Sequence, residues 1–216
     1  MRKGGSDPVE HALDIGVDLP LVDLEEIKRR DRHNSSIVHQ DVDLAVCVDG
    51  LLYQGFDLRP LREIFQRHTD LIEPLTLDEA YLDVSENKTG LPTATRVAKA
   101  IRQQTRDELQ LTASAGVAPN KFLAKIASDW RKSDGLFVIQ PEDVQTFLPP
   151  LPVGRIPGVG KVTETRLKQM SILTVGGLQA LELAALEARF GRYGMRLYEL
   201  ARGIDDSKVI IRSELR

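Results

Sequence analysis

The fold of this chain is decided by the stretch Leu75-Thr76-Leu77-Asp78-Glu79-Ala80-Tyr81-Leu82-Asp83-Val84-Ser85, in which two adjacent carboxylates interrupt an apolar pattern. Its leucines and strand-forming residues predict β structure on both sides of the carboxylates. Burying a carboxylate is costly unless it is paired or binds a metal. Neighbouring side chains on a regular strand point to opposite faces, so Asp78 and Glu79 could share a metal ion only at a bend or hairpin. A solvent-facing acidic turn between two short strands is the simpler alternative.

The composition is that of a globular protein with one or two domains. Of its 216 residues, 42% are hydrophobic and 28% are charged. The sequence contains no apolar run that could span a bilayer and no signal peptide, so we expect a cytoplasmic protein with no membrane partner. The single cysteine, Cys47, excludes an internal disulfide. Because the net charge is −3, any nucleic-acid binding must come from local basic patches.

The segment before the acidic stretch changes character near residue 56. Upstream of that point the sequence is the least regular part of the chain, and residues 37–48 are its one strand candidate. Residues 56–69 predict a helix with one apolar side. The residues on that side are Leu58, Leu61, Ile64, Phe65 and His68.

The segment after the acidic stretch alternates between helix and strand patterns. Residues 93–109 predict an amphipathic helix, and residues 111–117 predict a strand in which Gly116 marks a close backbone approach. A second helix begins after Pro119, and a short strand follows at residues 136–139. This order suits helices packed against one sheet.

The helix after Pro119 carries three lysines on one face. Its apolar face is formed by Phe122, Leu123, Ile126 and Trp130. On another face lie, at positions i, i+4, i+7 and i+11, Lys121, Lys125, Ser128 and Lys132. Three lysines aligned without acidic partners predict a surface that faces an anion. An ordinary solvated helix face is the alternative.

A helix-hairpin-helix pattern occupies residues 156–167, after a proline-rich linker at residues 149–152. Gly158 and Gly160 allow a tight hairpin and a close approach of the backbone to a phosphate. A helix beginning near Gly160 would offer free N–H groups and its positive dipole end to that phosphate, and Lys161 adds charge. The alternative is a purely structural hairpin that needs glycine only to turn.

In their order and spacing these motifs resemble the Y family of translesion DNA polymerases, over roughly residues 56–212. Residues 75–85 are similar to the motif that carries two of the three metal-binding carboxylates of the family, and residues 114–129 are similar to its second palm motif. The resemblance implies an α+β fold, in which a partial polymerase palm, a mixed β-sheet with packed helices, precedes a small all-α thumb. We therefore expect an unmatched segment at 1–55, a palm at 56–148 and a thumb at 149–216.

The resemblance also implies chemistry, namely template-directed DNA synthesis past lesions by a nucleotidyltransferase with two Mg²⁺ ions. Asp78 would bridge both ions, Glu79 would ligate the catalytic one and Asp83 would be structural. Lys132 would bind the triphosphate of an incoming deoxynucleotide. The residues expected to contact primer–template DNA are Gly158, Gly160, Lys161, Lys121 and Lys125. A sliding clamp is a further candidate partner, although its usual contact regions are missing.

Several parts of the family pattern are absent. The family opens with a strand carrying Asp-x-Asp, followed by aromatic residues and a fingers domain. Here Asp41 remains a candidate third ligand, but Leu44, Ala45 and Val46 stand where aromatic residues are expected. Ser133 replaces the usual proline after Lys132. We therefore predict that the N-terminal catalytic strand, fingers and little finger are missing, and that polymerase activity of this chain alone is absent or very low.

Two other outcomes stay open at this point. The chain could be a non-catalytic module that binds the DNA backbone through its helix-hairpin-helix. It could also fail to fold, because the palm would lack its central strand.

Overall fold

The structure is a computed structural model that describes residues 43–49 and 59–211. Its sheet is built from β1 (Asp43–Asp49), β2 (Ile72–Pro74), β3 (Glu79–Asp83), β4 (Thr112–Ala118) and β5 (Leu136–Val138). The helices are α1 (Arg59–His68), α2 (Ala94–Leu109), α3 (Lys121–Trp130), α4 (Val144–Phe147), α5 (Lys161–Gln169), α6 (Val175–Gln179), α7 (Leu183–Phe190) and α8 (Arg192–Ala201). Single 3₁₀ turns lie at Pro141–Asp143 and Val153–Arg155. No helix in these ranges combines the length and hydropathy that crossing a bilayer requires.

The sheet has the order β2-β3-β1-β4-β5, so β1 lies at its centre. Strand β1 pairs antiparallel with β3 and with β4. In the pairing of β1 with β3, Cys47 lies opposite Glu79. The possibility that the sheet would lack a central strand, and so fail to fold, is therefore wrong. Backbone pairing needs an extended apolar segment rather than catalytic side chains, and residues 43–49 supply it. The rest of the 37–48 strand prediction, and Asp41, lie outside the described residues.

Helices cover both faces of this central strand. On one face α1 and α2 pack over a cluster that includes Leu44 and Val46. On the other face α3 packs over a cluster that includes Ala45 and Tyr81. A strand covered on both sides is a continuous apolar run rather than an alternating one, which explains the sequence of β1.

The acidic pair lies where a bend becomes a strand. The prediction of β structure through residues 75–78 is wrong, because β3 begins only at Glu79 and Leu77 is 69% exposed. The alternative, a turn between two short strands, agrees with the bend that joins β2 to β3. The backbone N–H groups of Leu75 and Thr76 both donate to the Glu79 carbonyl, at 2.8 and 3.3 Å, so this segment turns back on itself. Asp78 therefore belongs to the bend and Glu79 to the strand, which is the geometry in which adjacent carboxylates can face one space.

The helix predictions are confirmed within a few residues. Helix α2 begins where Thr93 caps it, accepting a hydrogen bond from Arg96 N at 3.2 Å. The close approach predicted at Gly116 is also confirmed, since an added Cβ would lie 2.2 Å from the Ala124 carbonyl oxygen. Only glycine at this position lets α3 pack directly against β4.

His68 makes the stability of this packing depend on pH. The residue is buried at the end of α1, its Nε2 lies 3.2 Å from Gln104 Oε1, and its Nδ1 has no hydrogen-bond partner among the described residues. Burial lowers the pKa of His68, although the Gln104 contact opposes this. The folded protein therefore holds a neutral imidazole that the unfolded chain protonates near its ordinary pKa.

We expect the free energy of unfolding to fall as the pH drops from 7.5 through 6.5 to 5.5, because the unfolded state then binds the extra proton. Urea denaturation at several pH values measures this slope. The variant His68→Gln should have a shallower slope than the wild type. An unchanged slope in the variant would show that His68 is not the group responsible.

The helices of the predicted thumb continue the core that begins under the sheet. The cluster on the α3 face runs through Phe147, Leu151 and Leu167 to Leu197 in α8. The proline-rich segment 149–152 is packed into this core, since Val175 N donates to the Leu151 carbonyl at 2.8 Å. Palm and thumb therefore share one apolar cluster.

The chain after α8 returns to the palm and is tied to it by hydrogen bonds. Asp205 is buried and accepts from Phe122 N at the start of α3 at 3.0 Å and from Arg196 of α8 at 2.8 Å. Burial opposes ionisation of Asp205, but hydrogen bonds from Ser207 and Arg196 lower its pKa below the usual value. Asn120 Nδ2 donates to the Gly203 carbonyl at 2.8 Å. These contacts fix the thumb against the helix that carries the lysines.

Candidate functional site

Glu79 and two of the predicted lysines come together at the start of β3, and Asp78 precedes them in the bend. Glu79 Oε1 lies 2.9 Å from Lys125 Nζ and 3.8 Å from Lys132 Nζ. Asp78 Oδ1 accepts a hydrogen bond from Thr76 Oγ1 at 2.7 Å. Both carboxylates are partly exposed. The site therefore presents acidic and basic groups side by side on one open surface.

The expectation that the lysines lack acidic partners is wrong. Lys125 lies 3.0 Å from Asp129, and Lys132 lies 2.8 Å from the same carboxylate. Burial alone would raise the pKa of Asp129, but the hydrogen bonds from both lysines lower it. The hydrogen bond to Asp129 raises the pKa of Lys132 well above its usual value. The spacing of Asp129 from Lys125 and Lys132, four and three residues, could have predicted these two ion pairs from the sequence. The ion pair of Lys125 with Glu79 could not be predicted in this way, because it depends on how α3 packs on the sheet.

Lys121 is separated from the other two lysines. Its ammonium lies 2.6 Å from Glu73 Oε2 and donates to the Lys208 carbonyl at 3.1 Å, and the residue is only 8% exposed. Its ammonium also lies 5.0 Å from the centre of the Tyr81 ring. The stripe predicted along α3 is therefore divided between a buried structural pair and the carboxylate site.

Cys47 is a member of the site that sequence reasoning did not assign. Strand register places it opposite Glu79, and its side chain is buried. Burial, followed by the negative charge of Glu79, raises the pKa of the Cys47 thiol to about 11. The thiol is therefore protonated at neutral pH. Cys47 could have been identified if the pairing of β1 with β3 had been predicted, because their register places it opposite Glu79.

The residues present suit one hard divalent cation. Mg²⁺ keeps several waters and is commonly held by one or two carboxylates together with substrate phosphates. Asp78 and Glu79 supply two such oxygen ligands. Within the described residues no group of three or more metal-ligating side chains converges, and a protonated thiol is a poor ligand for Mg²⁺. Asp78 and Glu79 therefore fit a single ion, and the binding of two ions stays a prediction.

The helix-hairpin-helix forms a second exposed site in the thumb. Gly158 adopts a positive φ of 91°, and Gly160 precedes the first residue of α5. Gly158, Gly160 and Lys161 are exposed, as is the neighbouring Val162. The N-terminus of α5 thus presents backbone N–H groups and one lysine to solvent, which favours binding of a phosphate group.

Two other basic residues of α5 are engaged within the thumb. Lys168 pairs with Glu164 at 2.8 Å. Arg166 donates to the Arg189 carbonyl at 3.0 Å and lies over the Phe190 ring. Lys161 is therefore an exposed charge next to the hairpin glycines that neither of these contacts involves.

A five-stranded mixed sheet that carries adjacent carboxylates, followed by helices that present such a hairpin, is the arrangement expected of a polymerase palm and thumb. The sequence model of the impB/mucB/samB family matches residues 52–129, and the model described as the DNA polymerase-iota thumb domain matches residues 154–205. The chain belongs to the Y family of DNA polymerases. The predicted resemblance and the α+β palm-and-thumb fold are both confirmed.

Curated relatives that are named DNA polymerase IV are similar to more than two thirds of this chain. The DNA polymerase IV of Xanthomonas campestris is 63% identical over 151 residues, which are 70% of this chain and 42% of the relative. The DNA polymerase IV of Stenotrophomonas maltophilia is 62% identical over 149 residues, 69% of this chain and 42% of the relative. The chain thus spans less than half the length of these relatives.

Solved polymerase structures are similar over a comparable share of this chain. DinB from Sulfolobus solfataricus matches with a TM-score of 0.63 and 34% identity, covering 69% of this chain and 45% of that one. An insertion ternary complex of Dbh DNA polymerase matches with a TM-score of 0.62 and 33% identity, covering 69% and 44% respectively. Both similarities support the arrangement of palm and thumb described above.

Proposed function

We propose that this chain supplies the palm and thumb for template-directed DNA synthesis past lesions. The observation that carries the proposal is the 63% identity to a DNA polymerase IV. The family models that match residues 52–129 and 154–205 place the acidic pair and the hairpin within the matched parts of the chain. The substrates would be primer–template DNA and deoxynucleoside triphosphates, in the cytoplasm. A sliding clamp is a further candidate partner.

In this proposal Asp78 and Glu79 hold a divalent cation, with Mg²⁺ as the physiological candidate. When bound, the ion supplies Lewis-acid activation of the primer 3′-hydroxyl and neutralises phosphate charge. Lys132 lies at the edge of the acidic pair, where its ammonium would neutralise charge on the triphosphate. Asp83 lies at the far end of β3, which suits a structural role.

DNA would be held mainly by the thumb hairpin. Gly158, Gly160 and Lys161 would bind backbone phosphate, a contact that positions the duplex without reading its sequence. Lys121 and Lys125 were also predicted to contact DNA. Their ion pairs with Glu73 and Glu79 favour the hairpin as the principal DNA contact.

Catalysis by this chain alone would be weak. The described part of the chain brings two carboxylates to the site, and Glu79 is already paired with Lys125. Loss of positioning and of electrostatic stabilisation removes most of what a polymerase contributes to phosphoryl transfer. We therefore retain a second candidate function, a non-catalytic module that binds the DNA backbone, which the exposed hairpin favours.

A gel-shift experiment tests DNA binding through the hairpin. A double variant, Gly160→Glu with Lys161→Gln, should weaken binding to a primer–template duplex at least roughly tenfold at low salt, because it reverses the local charge. Gly160 has no atom within 4 Å of an added Cβ, so the variant should fold normally. Lys168→Gln removes a charge already paired with Glu164 and is the matched control, expected to bind like the wild type.

Primer extension with Mg²⁺ and four nucleotides separates the two functions. Slow synthesis that disappears in Glu79→Gln would support the polymerase proposal. DNA binding that depends on the hairpin, without any synthesis above the Glu79→Gln background, would support the non-catalytic module. Binding that is equal in the hairpin variant and the Lys168→Gln control would contradict both.

A further inference from the structure

The Glu79 carboxylate forms an ion pair with Lys125 of α3. Lys125 Nζ and Glu79 Oε1 are 2.9 Å apart, and their side chains are 19% and 17% exposed. At this degree of burial an ion pair is screened less by water and salt than a surface pair. The Glu79 carboxylate is thus already provided with a counter-ion by the fold.

The position of Lys125 is imposed by the packing of α3. Gly116 brings the backbone of β4 against Ala124, the residue before Lys125, and Asp205 fixes the first turn of the helix at Phe122. Lys125 therefore projects from α3, which is fixed against the sheet, toward the first residue of β3. Its ammonium reaches Glu79 without requiring a change in the backbone.

The charges around the site leave little net attraction for a cation. The carboxylates of Glu79 and Asp129 are paired with the ammonium groups of Lys125 and Lys132, so these four formal charges cancel. Glu79 Oε1 is shared between both lysines, and Asp78, in the adjacent bend, adds one negative charge. A divalent ion that approaches the acidic pair has to displace Lys125 from Glu79 or share the carboxylate with it.

We propose that Lys125 is a positioning residue that holds Glu79 in place and competes with the divalent cation for its carboxylate. This inference rests on the proposed function of Asp78 and Glu79 as the metal-binding pair. It assigns to Lys125 a role toward the metal instead of toward DNA. Lys125 keeps Glu79 ordered before the ion arrives and limits how tightly the ion binds before a nucleotide is present.

The test is the affinity of the purified chain for Mn²⁺, measured from the electron paramagnetic resonance signal of free Mn²⁺ without DNA or nucleotide. The variant Lys125→Met removes the charge but keeps a long apolar stem. It should bind Mn²⁺ about tenfold more tightly than the wild type, equivalent to ~1.4 kcal/mol. Lys125→Arg, which restores the counter-ion, should return the affinity to within about threefold of the wild type.

Two further variants make the result specific. Lys168→Met removes a lysine paired with a glutamate in the thumb and should leave the affinity unchanged. Glu79→Gln should abolish the binding seen in the wild type. If Lys125 served only the folding of the chain, Lys125→Met would bind Mn²⁺ more weakly than the wild type, whereas the proposed competition predicts tighter binding.

The outcomes distinguish this inference from the proposed function. If Mn²⁺ binding is lost in Glu79→Gln but Lys125→Met binds equally or more weakly than the wild type, the competition by Lys125 is wrong and the metal-binding pair stands. If neither the wild type nor Lys125→Met binds Mn²⁺, both the inference and the proposed metal site are wrong.

Discussion

Replacing Glu73 with alanine is expected to lower the free energy of unfolding by about 3–5 kcal/mol, because it leaves a buried ammonium without its counter-ion. Glu73 is 6% exposed and Lys121 is 8% exposed, and their charged atoms are 2.6 Å apart. The same Glu73 oxygen accepts from Ile210 N at 2.9 Å, so the segment after α8 would lose its hydrogen bond to β2 as well.

Urea denaturation of the purified variants measures this effect. The double variant Glu73→Leu with Lys121→Met should recover most of the loss, because replacing both members of a buried pair by apolar groups is often close to neutral. Asp70→Ala breaks the exposed pair between Asp70 and Lys88 and serves as the surface control, with an expected cost of about 0–1 kcal/mol. A Glu73→Ala variant as stable as the Asp70→Ala control would show that the buried pair contributes little.

Local patterns predicted the elements whose apolar residues follow a single period. Helices α1, α2 and α3 lie within three residues of the predicted boundaries, because each has one apolar side that packs on the sheet. The same use of periodicity explains why the β structure predicted for residues 75–78 was wrong. Leu75 and Leu77 are partly exposed in the bend, and periodicity counts apolar residues without knowing which of them are covered.

The central strand shows what a local pattern leaves undetermined. Its sequence predicted a strand, but its place between β3 and β4 is a matter of long-range pairing. The family pattern suggested that this strand was missing, since the expected catalytic residues were not found there. Backbone hydrogen bonding and burial on two faces nevertheless suit the apolar segment 43–49.

The candidate site was predictable in its residue types and less so in its partnerships. The motif in residues 75–85 identified Asp78 and Glu79, and the helical spacing placed Lys125 and Lys132 on one face. The pairing of those lysines with Glu79, the burial of Lys121 and the position of Cys47 depend on how α3 and β1 lie against β3. These are tertiary relationships that spacing along the chain does not contain.

Replacing Cys47 with aspartate is expected to strengthen divalent-metal binding by roughly 10- to 100-fold, because it adds a third carboxylate beside the acidic pair. Cys47 lies directly opposite Glu79 in the antiparallel pairing of β1 and β3, and side chains opposite one another share a face of the sheet. Without metal, the added charge faces Glu79 in a buried position, so the variant should melt at a lower temperature than the wild type. With Mn²⁺ or Mg²⁺ present, binding to the folded state should raise the melting temperature again.

Thermal unfolding with and without metal, together with the Mn²⁺ titration, measures both effects. Cys47→Asn is the matched control, because it has nearly the same size and polarity but no charge, and it should show neither the tighter binding nor the metal-dependent stabilisation. If the third carboxylate is what this site needs, Cys47→Asp should also extend primers faster than the wild type, by about tenfold or more. Equal Mn²⁺ affinity in the aspartate and asparagine variants would show that the side chain at position 47 does not reach the metal. The weak metal binding of the acidic pair would then have its cause elsewhere than in the residue that β1 places opposite Glu79.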